Sequence, residues 1–435
     1  MFETFRNAWK IEDLRKRLLF TLLVIVVFRL GCSMPVPFIA PTALQSMVTS
    51  SGSLLGYIDM LTGGSFSRAT LFALSVTPYI NSSIIIQLLT VAIPALERLS
   101  KEGESGRKKI TRITRYVGAG IAFALAIGYY FLLRGQGALT YTTGFSAVFS
   151  AIVIIFAFTA GSMLIQWMGE QIDSKGIGNG ISILIFAGII SRWSSIVTTV
   201  AEYFKLAMSG ETQYFILLPI VVIMALLITV FIVILNAAER RIPVQYAKRV
   251  VGRKMYGGQN SHIPIKVNMS GVMPVIFASA LVSIPGTLGV LLPNLNNAAN
   301  HPFWFGFFNI FRTTGWAYAA IYALLIIGFN YFYVAIQYNP IEIANNLRSN
   351  NGTVPGYRPG KPTSDFVTKV LGKITFIGAA FLVVVAILPI IFSQISGMNI
   401  SLGGTSLLIV VGVALDTARS LESYMLMRHH KGFLE

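Results

Sequence analysis

The side chains best able to do chemistry are few in this sequence, and their spacing is wrong for it. Four histidines (His262, His301, His429, His430) and one cysteine, Cys32, lack the short regular spacings with which imidazole and thiolate ligands enclose a metal. The stretch Gly103-Glu104-Ser105-Gly106-Arg107-Lys108-Lys109 has glycines and lysines, but not the spacing of a phosphate cradle nor its magnesium-holding hydroxyl. Gly176-Ile177-Gly178-Asn179-Gly180 follows no strand and leads into an apolar run, so it reads as a tight turn that starts a helix. No apolar run presents a serine–histidine pair or paired aspartates. The expectation is a protein with no catalytic centre, no metal and no cofactor, whose work is done by shape and surface.

What must position its residues is lipid. Hydrophobic residues make up 54% of the 435 and charged ones 12%, against about 25% charged in soluble proteins. Mean hydropathy is +0.69. A bilayer core needs about 20 mostly apolar residues per helix. Ten windows qualify: 18–38, 72–93, 116–134, 147–168, 179–200, 215–236, 267–292, 316–338, 370–394 and 402–420. The basic start followed by an apolar run resembles a signal peptide, but the run is long and leads into further spans, so it reads as an uncleaved first helix.

Of the 34 Lys and Arg residues, 28 fall in the N-terminal arm, in 94–115, 169–178, 237–266 and 339–373, and after 416. These segments alternate with the spans, which puts both termini in the cytoplasm. Ten spans divide into five and five, and an odd number in each half permits an inverted repeat. The expected division is an N-terminal half at 1–200, an external hinge loop at 201–214, a C-terminal half at 215–420 and a tail at 421–435. The net charge of +17 follows largely from this topology bias. Two long cytoplasmic loops stand out, 237–266 for its charge and 339–369 for its Gly, Pro and Asn. They are either topology signals with solvated linkers or a docking surface for an acidic partner such as a ribosome.

The spans hold almost no carboxylate, which argues against a proton or cation pathway. Arg29 is the one awkward charge; it either snorkels outward or faces a hydrated cavity. The segment 52–68 is too polar and short to span. It contains Tyr57-Ile58-Asp59-Met60-Leu61 and then Thr62-Gly63-Gly64. Either it lies on the surface or it is half-inserted, and irregular backbone at membrane depth must be buried in protein or line an aqueous cavity.

Longer strings are more specific. Leu61 to Gly64, Phe72 to Leu74 and Thr77 to Leu89 resemble the plug and second helix of the SecY/Sec61-alpha family. KEGESGRKKITRITRY (101–116), GIGNGISILIFAGI (176–189), RRIPVQYAKR (240–249), KVNMSGVMPVIFAS (266–279), NPIEIANNLRSNNGTVPGYRPGKPT (339–363) and GGTSLLIVVGVALD (403–416) resemble it in the same order. The resemblance runs from the first helix to the tenth, whereas 294–315 and the tail carry little of it.

The resemblance implies an all-α polytopic protein of the bacterial inner membrane. Ten transmembrane helices form two inverted five-helix halves around a central pore, with a short plug helix. It implies a pore ring at Val76, Ile80, Ile185, Ile189, Ile276 and Ile409, and a plug that includes Tyr57, Ile58, Asp59, Met60, Leu61, Gly63 and Gly64. Thr77, Gln87 and Asn268 would close or wet a lateral gate between helices 2 and 7; Gln87 and Asn268 are equally readable as ordinary interhelical hydrogen-bonding residues. Arg241, Lys248, Arg249, Arg253, Lys254 and Arg358 would dock the SecA ATPase or a ribosome. SecE and SecG are the implied membrane subunits, and signal peptides, preproteins and membrane lipid the implied partners of the pore. The rival from another class is a secondary transporter of small solutes, which would also show inverted halves.

Overall fold

The computed structural model describes residues 6, 9–40, 59, 62–210, 213–246, 249–251, 254–256, 260–291, 301–311, 315–396 and 404–431. α1 (Glu12–Gly31), α2 (Thr77–Ala92), α3 (Pro94–Lys101), α4 (Glu104–Gly135), α5 (Gly144–Lys175), α6 (Gly180–Ser191), α7 (Trp193–Met208) and α8 (Gln213–Ala237) come first. Strands β1 (Glu239–Tyr246), β2 (Arg249–Val251), β3 (Lys254–Tyr256) and β4 (Asn260–Lys266) follow. Then come α9 (Met273–Leu291), α10 (Pro302–Ile310), α11 (Trp316–Gln337), α12 (Pro340–Ser349), β5 (Gly352–Thr353), α13 (Lys361–Ser396) and α14 (Gly404–Lys431).

α4, α5, α8, α13 and the helix beginning at Trp316 are by themselves long and apolar enough to cross a bilayer. α2 supplies a sixth crossing, and α3, bent from it by 101° at Ile93, turns off into the basic loop 94–115. α1, α6 continued by α7, α9 and α14 are shorter or more polar and complete the ten. Several bounds differ from the sequence windows. α1 ends at Gly31 instead of running to residue 38, and the chain beyond it turns into isolated bridges, Pro35 with Thr70 and Ile39 with Leu139. Residues 72–76 are turns. The loop expected at 201–214 is helical as far as Met208.

Two sets of five helices have the same neighbours. In the first, α2 packs on α4, α4 on α5, α5 on α6, and α1 on both α5 and α6; in the second, α9 packs on α11, α11 on α13, α13 on α14, and α8 on both α13 and α14. Replacing α1, α2, α4, α5 and α6 by α8, α9, α11, α13 and α14 reproduces every one of these pairs. Because each set is odd in number, the second threads the membrane in the opposite sense. The sets meet chiefly along two seams, α2 on α9 and α6 on α14, with α4 also touching α9 beside the first.

The membrane part is all-α, and a small strand lobe is added outside it. β1 pairs antiparallel with β4 from Glu239 opposite Lys266 to Gln245 opposite Asn260. β5 joins its other edge at Gln245 opposite Thr353 and Tyr246 opposite Gly352, giving the order β4-β1-β5. Alternation explains β1: Ile242 and Val244 are buried against Ile265, Leu347, Val354 and Val367, while Arg241, Pro243 and Gln245 are exposed. Such a period of two is the pattern of a half-buried strand. Pro243 is tolerated because the β5 pairing begins only at Gln245, which leaves β1 an edge there.

Candidate functional site

The six ring residues come from four helices. Val76 precedes α2 and its carbonyl accepts the N–H of Ile80 at 3.0 Å. Ile185 and Ile189 lie one turn apart on α6, Ile276 is in the first turn of α9, and Ile409 is on α14. All six belong to one apolar cluster, five of them buried and Ile80 half-buried against the rest. The helices that supply them are the four that form the two seams, so the cluster lies where the halves meet. All six side chains are β-branched and stiff at χ1, and none offers a hydrogen bond. Lining a pore, such a cluster would exclude ions by dewetting and match no particular sequence.

The height of Ile185 and Ile189 is set by how α6 starts. Asn179 caps it, its Oδ1 accepting the Ser182 N–H at 3.0 Å. Asp173 Oδ1 accepts the Gly180 N–H at 2.7 Å. The Ile177 N–H donates to Thr21 Oγ1 at 3.3 Å, and Arg17 Nη1 donates to the Gly176 carbonyl at 3.2 Å. The glycine run is therefore a helix start pinned by α1 and α5, with these amides already engaged. A side chain at Gly180 would place its Cβ 2.1 Å from the Gly169 carbonyl oxygen, so only glycine allows this approach.

Of the plug segment, Asp59, Gly63 and Gly64 are described; Tyr57, Ile58, Met60 and Leu61 lie outside the described residues. Asp59 is fully buried. Its Oδ1 accepts the Ser67 N–H at 2.7 Å, and its carbonyl accepts the Gly64 N–H at 2.9 Å and the Thr62 hydroxyl at 3.1 Å. Its Oδ2 is 2.8 Å from Arg192 Nη1, in the residue between α6 and α7. That contact lacks hydrogen-bond alignment, so its attraction is coulombic. Gly63 has φ of +67°, and a Cβ there would meet the Gly188 carbonyl and Ser191 Oγ of α6 at 3.0 Å. Tyr129 donates its hydroxyl to the Phe66 carbonyl at 2.6 Å. The described part of the segment is thus enclosed between α4 and the end of α6, and does not lie on the surface.

At the α2–α9 seam the polar residues are divided. Thr77 opens α2 and is half-buried. Gln87 accepts the Tyr333 hydroxyl of α11 at 2.6 Å through Oε1, and its amide donates to Ser83 at 3.3 Å. Asn268 donates to Asn236 Oδ1 of α8 at 2.9 Å. Gln87 and Asn268 are therefore not bonded to each other: the first is strapped across to the second half, the second held within its own. Arg29, in the last turn of α1, is half-buried, with Nη1 enclosed and no hydrogen-bond partner for it among the described residues.

The basic residues gather differently. Arg241 stands exposed on β1 beside Glu239 at 2.7 Å. Arg249 and Lys254 lie on the β2–β3 hairpin, opposite Tyr256 and Val251. Lys248 and Arg253 fall outside the described residues. Arg358 is exposed just past β5, its carbonyl accepting the Thr363 hydroxyl at 2.8 Å. The β1–β5 pairing joins the two loops into one lobe. In the other basic loop, 94–115, Lys101, Lys108, Lys109 and Arg115 are paired with Glu97, Glu104, Glu102 and Glu170. Lys101 beside Glu97 holds that carboxyl below the usual carboxylate range. The 237–266 loop has a single acid, Glu239, to offset seven basic residues.

The sequence reading passed over three partners. Arg192, Tyr333 and Asn236 are not among the residues that it singles out. The available signal was a polar group inside an apolar run, which needs a partner; the partner's identity lies far away in sequence.

Ten spans in two opposed sets, closed at their seams by apolar side chains, define a polytopic membrane protein of the channel type. The SecY family model matches residues 70–418. The protein translocase subunit SecY of Thermotoga maritima is 42% identical over 442 residues, covering 100% of this chain and 98% of that one. That of Streptomyces scabiei is 40% identical over 446 residues, covering all of both chains. The chain belongs to the SecY family. Among solved structures, a protein-conducting channel superposes with a TM-score of 0.65 at 17% identity, covering 94% of this chain and 92% of that one. Sec61 in the canine ribosome–channel complex gives 0.63 at 17%, with the same coverage.

Proposed function

We propose that this chain is the channel subunit of a protein translocase, conducting unfolded signal-bearing polypeptides across the membrane and releasing apolar segments sideways into lipid. The observation that carries this reading is the convergence of Val76, Ile80, Ile185, Ile189, Ile276 and Ile409 in one apolar cluster at both seams between the halves. In this reading 1–200 and 215–420 are the two halves, 201–214 joins them, both termini are cytoplasmic, and the membrane is the bacterial inner membrane. The segment around Asp59 is the plug, and the α2–α9 seam is the lateral gate. The chain works with SecE and SecG.

The strand lobe is the docking surface for the driving partner, SecA or a translating ribosome. Support comes from its excess of positive charge and from relatives whose solved complexes contain a ribosome. Arg358→Glu is expected to cut ATP-driven export several-fold while leaving assembly intact, since a reversed rim charge acts mainly on encounter. Normal export by that variant would remove the docking assignment.

The test of the function is protease protection of a signal-bearing preprotein, with liposomes holding this chain and its membrane subunits, supplied with SecA and ATP. Protection that needs every component establishes the channel. Absence of protection with SecA bound, together with flux of a small solute, would favour a transporter; the scarcity of carboxylates in the spans speaks against that outcome.

A further inference from the structure

Between α9 and α11, on the side of the bundle away from the strand lobe, α10 reads Pro-Phe-Trp-Phe-Gly-Phe-Phe-Asn-Ile. It carries no charged residue. Phe308 alone is buried, and its ring lies against Gly289 near the end of α9, where an added Cβ would meet Phe308 Cγ at 2.9 Å. Phe303, Trp304, Phe305, Phe307 and Ile310 all remain exposed, so nearly the entire free surface of this short helix is apolar. A patch of this kind marks a protein or membrane contact.

We propose that α10 lies in the far membrane–water interface, with its rings at the level of the lipid headgroups and upper acyl chains. It thereby ties the end of α9, one side of the α2–α9 seam, to the bilayer. The occupant is lipid because the patch continues the exposed apolar surface of two neighbouring spans, α9 and α11. Leu288, next to Gly289, and Ile284 one turn earlier are exposed on α9, and Trp316 is exposed where α11 begins. Indole rings collect at this level, where an apolar body and an N–H are both satisfied, and phenyl rings form the buried face of helices that lie in the interface plane.

The test compares the full chain, purified with its bound subunits, with its Trp304→Phe variant in phosphatidylcholine vesicles. The difference in emission isolates Trp304. Lipids brominated near the glycerol end of the acyl chain are expected to quench most of that component. Lipids brominated near the methyl end quench it less, and aqueous iodide barely at all. Quenching by iodide and not by bromolipid would overturn the proposal in favour of a helix standing in water. Quenching by neither would overturn it in favour of a protein subunit covering α10. If Trp304→Phe does not insert, Trp304→Tyr removes the same indole and serves as the reference.

Discussion

The two seams join the same pair of halves, yet they are built differently. At α6–α14 the described core is aliphatic: Ile185 and Ile189 share their buried cluster with Leu408, Ile409 and Val413, and the start of α6 is pinned to α1 and α5 by the bonds around Asn179 and Gly180. At α2–α9 the apolar ring is continued by polar groups, and the Tyr333–Gln87 bond of 2.6 Å crosses from one half to the other. An aliphatic seam that opens loses its packing, and water returns nothing for it. A hydrogen-bonded seam that opens exchanges its bond for water at a net cost of about 1 kcal/mol. The first is suited to be a hinge and the second a gate.

The largest expected effect comes from the ion pair that holds the proposed plug segment against the end of α6. Arg192→Ala leaves Asp59 buried without its cation. Loss of a fully buried pair costs about 3–5 kcal/mol, and the partial exposure of Arg192, 26% against 1% for Asp59, reduces this to about 2 kcal/mol. The plug should sit less firmly, which raised protease sensitivity around residue 59 and raised ion leak would register. Unchanged leak and cleavage would mean that the backbone bonds of Asp59 suffice alone.

A smaller effect is expected from Ile185→Asn, which puts a hydrogen-bonding group into the ring without disturbing the cap at Asn179. Ion conductance should rise about tenfold through loss of dewetting, and preproteins with defective signals should be exported. If both stay at the level of the unaltered chain, the cluster is packing and not a constriction.

Tyr333→Phe probes the difference between the seams most narrowly and should have the smallest effect. Losing about 1 kcal/mol from the closed gate corresponds to roughly a fivefold rise in the open population. It should be read as faster capture of weak signal sequences with little change in thermal stability. A large stability loss with unaltered capture would make the bond structural and erase the distinction between gate and hinge.

Much of the bundle was legible because lipid imposes a simple rule. A span must be long, apolar and helical, so the windows at 116–134, 147–168, 215–236 and 370–394 correspond to α4, α5, α8 and α13. The rule fails where the chain is at membrane depth but enclosed by protein. Residues 72–76 are apolar enough for a span, yet they are turns between α1 and α2. The strand lobe was present as alternation in Arg241-Ile242-Pro243-Val244-Gln245, but Pro243 and the surrounding charges made it resemble a linker. Gln87 and Asn268 stood out as polar; that they bond to Tyr333 and Asn236 instead of each other was not readable from their positions.

By itself the sequence determined the solvent of this protein, its number of crossings and, through Asn179 and Gly180, where α6 begins. These are properties of local composition, since partition into a bilayer and helix capping depend on residues within a few turns of one another. Only the tertiary structure decided that six aliphatic side chains from four helices meet in one buried cluster, and that Asp59 meets Arg192. It alone joined two loops into one sheet through Gln245 and Thr353. An isoleucine facing lipid and one closing a pore have the same chemistry, and what separates them is which helix lies opposite.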